Sequence, residues 1–233
     1  MHVALTEILE CPACGSGLVL LAERQEASRA IDGALGCPSC DARYPVRAGV
    51  ADLRPRDRAA AAPDGDARPR PGAPADGPPR DAPADASEDA IRIAALLGLE
   101  GARGVVVLAG GQARLAGFVG ALVAEVEVAA VWEEEKALPP YAAGRFSALL
   151  TGGRLPFADR RVAGVALDAD GHVPLAEAVR ILAPGRRLVL ERAGADAAER
   201  LESLGCVVLA RREDVVVAER AGQPEPPRLY QLA

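Results

Sequence analysis

The 233-residue chain carries 33 acidic and 27 basic side chains, a net charge of −6 and a pI near 5.1. That balance argues against a general nucleic-acid binder, which needs a basic face. Half the residues are hydrophobic but only 3% are aromatic, so Val, Leu and Ala must fill any core, and the length suits one medium domain with a small module.

No basic start leads into an apolar run, and no stretch of about 18 uncharged apolar residues occurs. Neither a signal peptide nor a membrane span is expected, and the five cysteines are read in a reducing cytoplasm. Four of them form two C-x2-C pairs, "CPAC" and "CPSC", with 22 residues between the pairs. Two thiolates on each tight turn can face one centre. Cys11, Cys14, Cys37 and Cys40 are therefore expected to hold a structural zinc, with no position open for catalysis. Unmetallated thiols or an iron site are the alternatives. The segment between the pairs, "LVLLAERQEASRAIDGALG", reads as a β-hairpin. Residues 1–53 thus form a β-rich module too small to fold on its core alone. Residues 54–87 hold eight of the 19 prolines, with six Arg and six Asp, and read as a disordered tether.

From Ser87 the pattern becomes regular. Ser87 is the expected N-cap of a helix that places Ile91, Ala94, Ala95 and Leu99 on one face. "GVVVLAG" follows as a strand buried on both faces, then "ARLAGFVGALVAE" as a helix and "VEVAAVW" as a strand. "RVAGVALD" is a strand, "PLAEAVRILAPG" a helix ending at Pro-Gly, and "RRLVLER" a strand. A helix over 196–205 leads into a hairpin turning at Arg212–Asp214. Strands alternating with helices imply a mostly parallel α/β sheet over 88–221, with an antiparallel hairpin at its end and a tail over 222–233. Cys206 falls in a strand and reads as an inert core residue.

Two resemblances sharpen this reading. "EILECPAC", the second knuckle and "YPVRAGVADL" resemble the small zinc-ribbon family that activates methyltransferases, over about the first 54 residues. The resemblance implies a protein-interaction module that extends a partner's sheet, with Tyr44, Val46 and Val50 as candidate contacts or as the ribbon's own core. The region from 88 to 220 is similar to the class I S-adenosylmethionine-dependent methyltransferases, most distinctively in "LPFAD" and "RILAPGRRLVL". It implies a Rossmann-like fold. It also implies a cofactor loop in which the first strand ends in an acid and a G-x-G-x-G turn follows. Here those positions read Val107, then Ala109, Gly111 and Ala113, with Gly110 added. The acid expected after the second strand is Trp132, with Glu133 one residue later.

Gly110, Gly111 and Glu133 are therefore the candidate cofactor contacts. Asp168, Asp170 and His172 are the candidates for chemistry, because such folds place ligands at the carboxyl ends of their strands. The preferred reading is a non-catalytic zinc-ribbon and pseudo-methyltransferase protein. It would bind a protein partner, such as a methyltransferase or a larger complex, but no membrane and no nucleic acid. The rival is an active S-adenosylmethionine-dependent enzyme with an atypical loop. Whether the ribbon docks on its own large domain is left open by the sequence, although a tether of about 34 residues reaches roughly 30 Å.

Overall fold

The computed structural model describes residues 1–55, 85–134 and 145–222. Most of the predicted tether, 56–84, and of the tail, 223–233, lie outside the described residues.

The ribbon half begins with a 3-10 turn, Val3–Glu7, whose Leu5 is buried, and a hairpin of β1 (Val19–Glu26) and β2 (Arg29–Gly36). Two short strands follow, β3 (Arg43–Arg47) and β4 (Val50–Asp52). The large half opens with α1 (Asp85–Leu97) and β5 (Gly104–Ala109), then a 3-10 turn Gly110–Leu115 running into α2 (Ala116–Leu122). It continues with β6 (Val126–Trp132), β7 (Phe146–Leu150), β8 (Val162–Asp168), α3 (Leu175–Ile181) and β9 (Leu182–Glu191). It closes with α4 (Ala197–Ser203) and the hairpin β10 (Cys206–Arg212) and β11 (Val215–Arg220).

All eleven described strands share one sheet, ordered β1-β2-β3-β4-β7-β6-β5-β8-β9-β11-β10. From β4 to β9 every neighbour is parallel. The ribbon's three inner pairings and the closing hairpin are antiparallel. The ribbon is therefore not a separate bead on a string. Its β4 pairs with β7 over Val50↔Ala148, Ala51↔Leu149 and Asp52↔Leu150, and Leu53 continues the ladder to Leu150 O at 2.8 Å. Without that pairing β7 would be the sheet's open edge, the position most prone to unwanted pairing.

Side chains alternate between two cores, as the two-sided burial of parallel strands requires. Val106 and Leu108 of β5 join Val128, Ala130 and Leu150 under Ile93 and Leu97 of α1 and Phe118 and Val119 of α2. Val107, Ala109, Val131 and Leu149 face the other way, into a core shared with α3, α4 and the ribbon's Leu5, Leu9, Leu35 and Leu53. The ribbon thus supplies apolar cover as well as an edge strand. A half-buried polar set lies between the ribbon and the large half. Arg29 of β2 donates to both carboxylate oxygens of Glu127 on β6, at 3.2 and 3.0 Å, and to Phe146 O at 3.0 Å. Ser147 completes the set, donating to Glu127 at 2.6 Å and accepting from the His2 N–H at 2.8 Å.

The "LPFAD" segment is the second rail. Leu9 bridges Phe157, the Ala158 N–H donates to Ile8 O at 2.8 Å, and the Glu10 N–H donates to Pro156 O at 3.0 Å. From its other side Arg180 of α3 donates to Leu155 O and Phe157 O at 2.7 and 2.8 Å and pairs with Glu177 and Asp159.

Several expectations change. The first helix starts at Asp85, so Ser87 lies inside it rather than capping it, and its buried stripe is Ala86, Ala90, Ile93 and Leu97. Ile91, expected on the buried face, is 56% exposed, and Ile93 takes the buried position instead. The predicted helix over "ARLAGFVGALVAE" splits into the 3-10 turn and the seven-residue α2. The helix expected to stop at Pro-Gly stops at Ile181. The sheet takes the chain at once, and residues 183–186 loop out of β9 opposite Ala163. β7 has no counterpart in the sequence reading.

Replacing Glu127 by Ala strands Arg29 at the junction and should cost about 2 kcal/mol in urea denaturation, the scale of hydrogen bonds to a charged group. Amide exchange in β4 and β7 should speed up together. Acid tests the second rail. Burial pushes the Glu177 carboxyl up, but the hydrogen bonds and charge of Arg180 and the Leu155 N–H outweigh it and hold it below its ordinary value. A depressed carboxylate stabilises the fold above the ordinary range, and that stability is lost as pH falls through it. The thermal midpoint should therefore drop on acidification less steeply in Glu177→Gln than in the parent.

Candidate metal centre and candidate cofactor loop

The two knuckles are built alike. In the first, the Gly15 N–H donates to Cys11 O at 2.8 Å; in the second, the Asp41 N–H donates to Cys37 O at 3.0 Å. Each closing residue is left-handed, Gly15 at φ +77° and Asp41 at φ +58°, which turns the second cysteine of each pair back toward the first. The four sulfurs lie within 4.8 Å of one another. Cys14 and Cys37 Sγ are 3.4 Å apart, and Cys11 and Cys40 Sγ are 3.7 Å apart. A tetrahedron of zinc–sulfur bonds of about 2.3 Å has edges of about 3.8 Å, so the donor set fits zinc. Cys11 and Cys37 are buried, Cys40 is half-buried and Cys14 is exposed. Hydrogen bonds from the Ser16 backbone and hydroxyl, with Cys37, draw the Cys14 thiol down to about 6.

Of the three ribbon residues singled out as contacts, Tyr44 and Val46 are buried in the ribbon's own core. Val50 is the one on the docking strand, opposite Ala148. Cys206 is buried under α4, and burial pushes its thiol up.

The loop after β5 folds onto the end of β8. Ala109 is extended, Gly110 turns at φ +62°, and the 3-10 turn begins. Asp168, the last residue of β8, has a fully buried side chain, accepts from the Gly111 N–H at 2.5 Å and from Gln112 Nε2 at 2.8 Å, and pairs with Arg192 at 2.7 Å. Gln112 also donates to Glu191 at 3.2 Å, and Glu191 in turn binds Arg92 of α1. A Cβ on Gly111 would stand 2.6 Å from Asp168 Oδ2, so this glycine is required for the carboxylate to reach the loop.

The structure thus joins Gly110, Gly111 and Asp168 in one network. Asp170 is exposed and pairs with Arg192 at 2.8 Å, which holds its carboxyl below the usual range. His172 is half-buried outside this network. Burial pushes its pKa down, opposed by the charge of Glu133. Glu133 stands exposed one residue past β6, while Trp132 is buried 6.2 Å from the Phe146 ring on the α1–α2 side of the sheet. Gln112, Glu191 and Arg192 were not foreseen. Gln112 follows the Gly-Gly pair, but nothing in the sequence says that β8 and β9 bring their ends to it.

A family model described as Trm112p-like protein matches residues 2–49. No curated protein matches the chain. Among solved structures the chain is similar to geranyl diphosphate methyltransferase in complex with S-adenosylmethionine, at 12% identity and a TM-score of 0.44, covering 58% of this chain and 85% of that one. It is similar to the N-methyltransferase NodS from Bradyrhizobium japonicum WM9, at 14% identity and 0.41, covering 58% and 96%. It is also similar to the antibiotic-resistance methyltransferase Kmr, at 15% and 0.40, covering 57% and 93%. Residues 2–49 therefore match a Trm112p-like ribbon carrying the four-cysteine cluster, and the strands that follow form an α/β sheet that is parallel at its centre.

Gly111→Ala should push Asp168 out of its contacts and lower stability by about 1–3 kcal/mol, the range for a buried polar group losing its partners. The readout is the thermal midpoint, with the metal content of the ribbon unchanged.

Proposed function

We propose that this chain is a non-catalytic binding protein, in which a methyltransferase-like sheet is kept as a scaffold and its zinc ribbon serves that sheet in cis. The observation that carries this reading is Asp168. In the resembling enzymes the loop after the first strand stays open to wrap the methionine half of the cofactor. Here the loop's Gly111 N–H and Gln112 amide are taken by an internal carboxylate, and Arg192 lies over the same carboxylate. A cofactor carboxylate arriving at Gly111 would have to displace one that is already buried, paired and hydrogen-bonded.

The ribbon's position narrows the kind of partner. The resemblance assigns partner binding to sheet extension, and β4 already spends that edge on β7 of the same chain. A protein partner or complex is therefore met through other surfaces of the joined unit, not by offering β4 to a second methyltransferase. In the zinc site Cys11, Cys14, Cys37 and Cys40 hold the ion, which supplies folding energy to a module with little core of its own. Two features favour the enzymatic reading: Gly110 keeps its left-handed turn, and Glu133 is exposed just past β6.

Calorimetric titration of the zinc-loaded protein with S-adenosylmethionine and with its demethylated product separates the two. The expected result is no heat and no thermal shift at millimolar ligand. Binding at micromolar affinity, abolished by Gly111→Asp, would overturn the non-catalytic reading.

A further inference from the structure

Tyr44 approaches the cysteine cluster from outside both knuckles. It sits on β3 with 4% of its surface exposed, and its hydroxyl lies 3.3 Å from Cys11 Sγ. A buried hydroxyl is costly unless it is hydrogen-bonded, and a Phe ring would fill the same space without that cost. The direction of the bond is fixed by metal chemistry. A cysteine that ligates a divalent metal has lost its proton, so Tyr44 donates and the Cys11 sulfur accepts.

Four thiolates around one zinc leave a net charge of about −2 on the centre. The ligands differ in how that charge can be solvated. Cys14 is exposed to water, whereas Cys11 is buried and has none of that relief. The Tyr44 proton is placed at the ligand that needs it. The same side chain ties the first knuckle to β3, and β3 pairs with the docking strand β4 through Val46↔Ala51.

We propose that Tyr44 is a positioning residue of the metal centre: its hydroxyl hydrogen-bonds the Cys11 thiolate, draws charge from that sulfur, and anchors the first knuckle to the strand beside the docking edge. The inference rests on metal occupancy of the four cysteines and is independent of whether the loop after β5 binds a ligand.

Tyr44→Phe keeps the ring and removes the proton. In the full chain loaded with cobalt(II), the sulfur-to-cobalt charge-transfer band should move to longer wavelength, because a thiolate without its hydrogen bond gives up an electron more easily. Transfer of zinc from the same variant to a chromophoric chelator should accelerate about tenfold or more, the usual scale for loss of a group that supports a metal ligand. Circular dichroism should report an unchanged fold. A folded variant with an unmoved band and an unchanged release rate overturns the proposal. A parent chain that takes up no cobalt overturns the metal reading and the proposal with it. If Tyr44→Phe does not fold, the unmutated chain loaded with cadmium-113 decides. A Tyr44 hydroxyl proton correlated with the metal through the Cys11 sulfur supports the assignment, and a freely exchanging proton with no such correlation overturns it.

Discussion

Three residue pairs in parallel register, Val50↔Ala148, Ala51↔Leu149 and Asp52↔Leu150, make the ribbon and the large domain one object. A short parallel ladder is weak by itself, since each net hydrogen bond contributes only about 1 kcal/mol. It holds because both faces of the ladder are covered. Leu149 is buried against the ribbon's apolar side, and Leu150 against the core under α1 and α2. Arg29 of β2, paired with Glu127 of β6, favours this register: a slip of the ribbon would carry Arg29 away and leave a half-buried carboxylate without its cation.

This dependence runs in both directions. The ribbon's Leu5, Leu9, Leu35 and Leu53 share a core with the large domain, and β7, apolar but for Ser147, would be an open edge without the ribbon. The four-cysteine cluster and the large sheet are connected through β3 and β4. The two outer edges that remain, β1 and β10, each carry register irregularities in their pairing with the next strand. Such bulges disrupt a regular edge and so discourage the addition of further strands.

At the carboxyl ends of the strands the fold resolves a different problem. A doubly wound sheet leaves a crevice where the strand order reverses, here between β5 and β8, and exposes the loop N–H groups there. Those groups need acceptors. Asp168 meets that need from within, and Gln112, Arg192, Glu191 and Arg92 extend the neutralisation outward. The carboxylate of β8 thereby ties the loop after β5 to the ends of β8 and β9.

The sequence by itself determined the features that are local. Paired C-x2-C turns announce a four-sulfur centre, since spacing alone brings two thiolates to one side of a turn. Continuous Val-rich runs announce strands buried on both faces: "VEVAAVW" matches β6 residue for residue, and "RVAGVALD" matches β8 but for its leading Arg161. The Gly110-Gly111 pair marked the turn after β5. What only the tertiary structure decided is which elements meet across long stretches of chain. The "FSALL" strand is too short and too featureless to declare itself, yet as β7 it receives the ribbon. Asp168 reads as a turn acid near a strand end, and only the adjacency of β5 and β8 makes it the acceptor for Gly111, 57 residues away. Tyr44 reads equally as a surface contact or a core residue. Its hydroxyl finds Cys11 because the pairing of β2 with β3 folds residue 44 back over residue 11, and periodicity carries no information about contacts of that range.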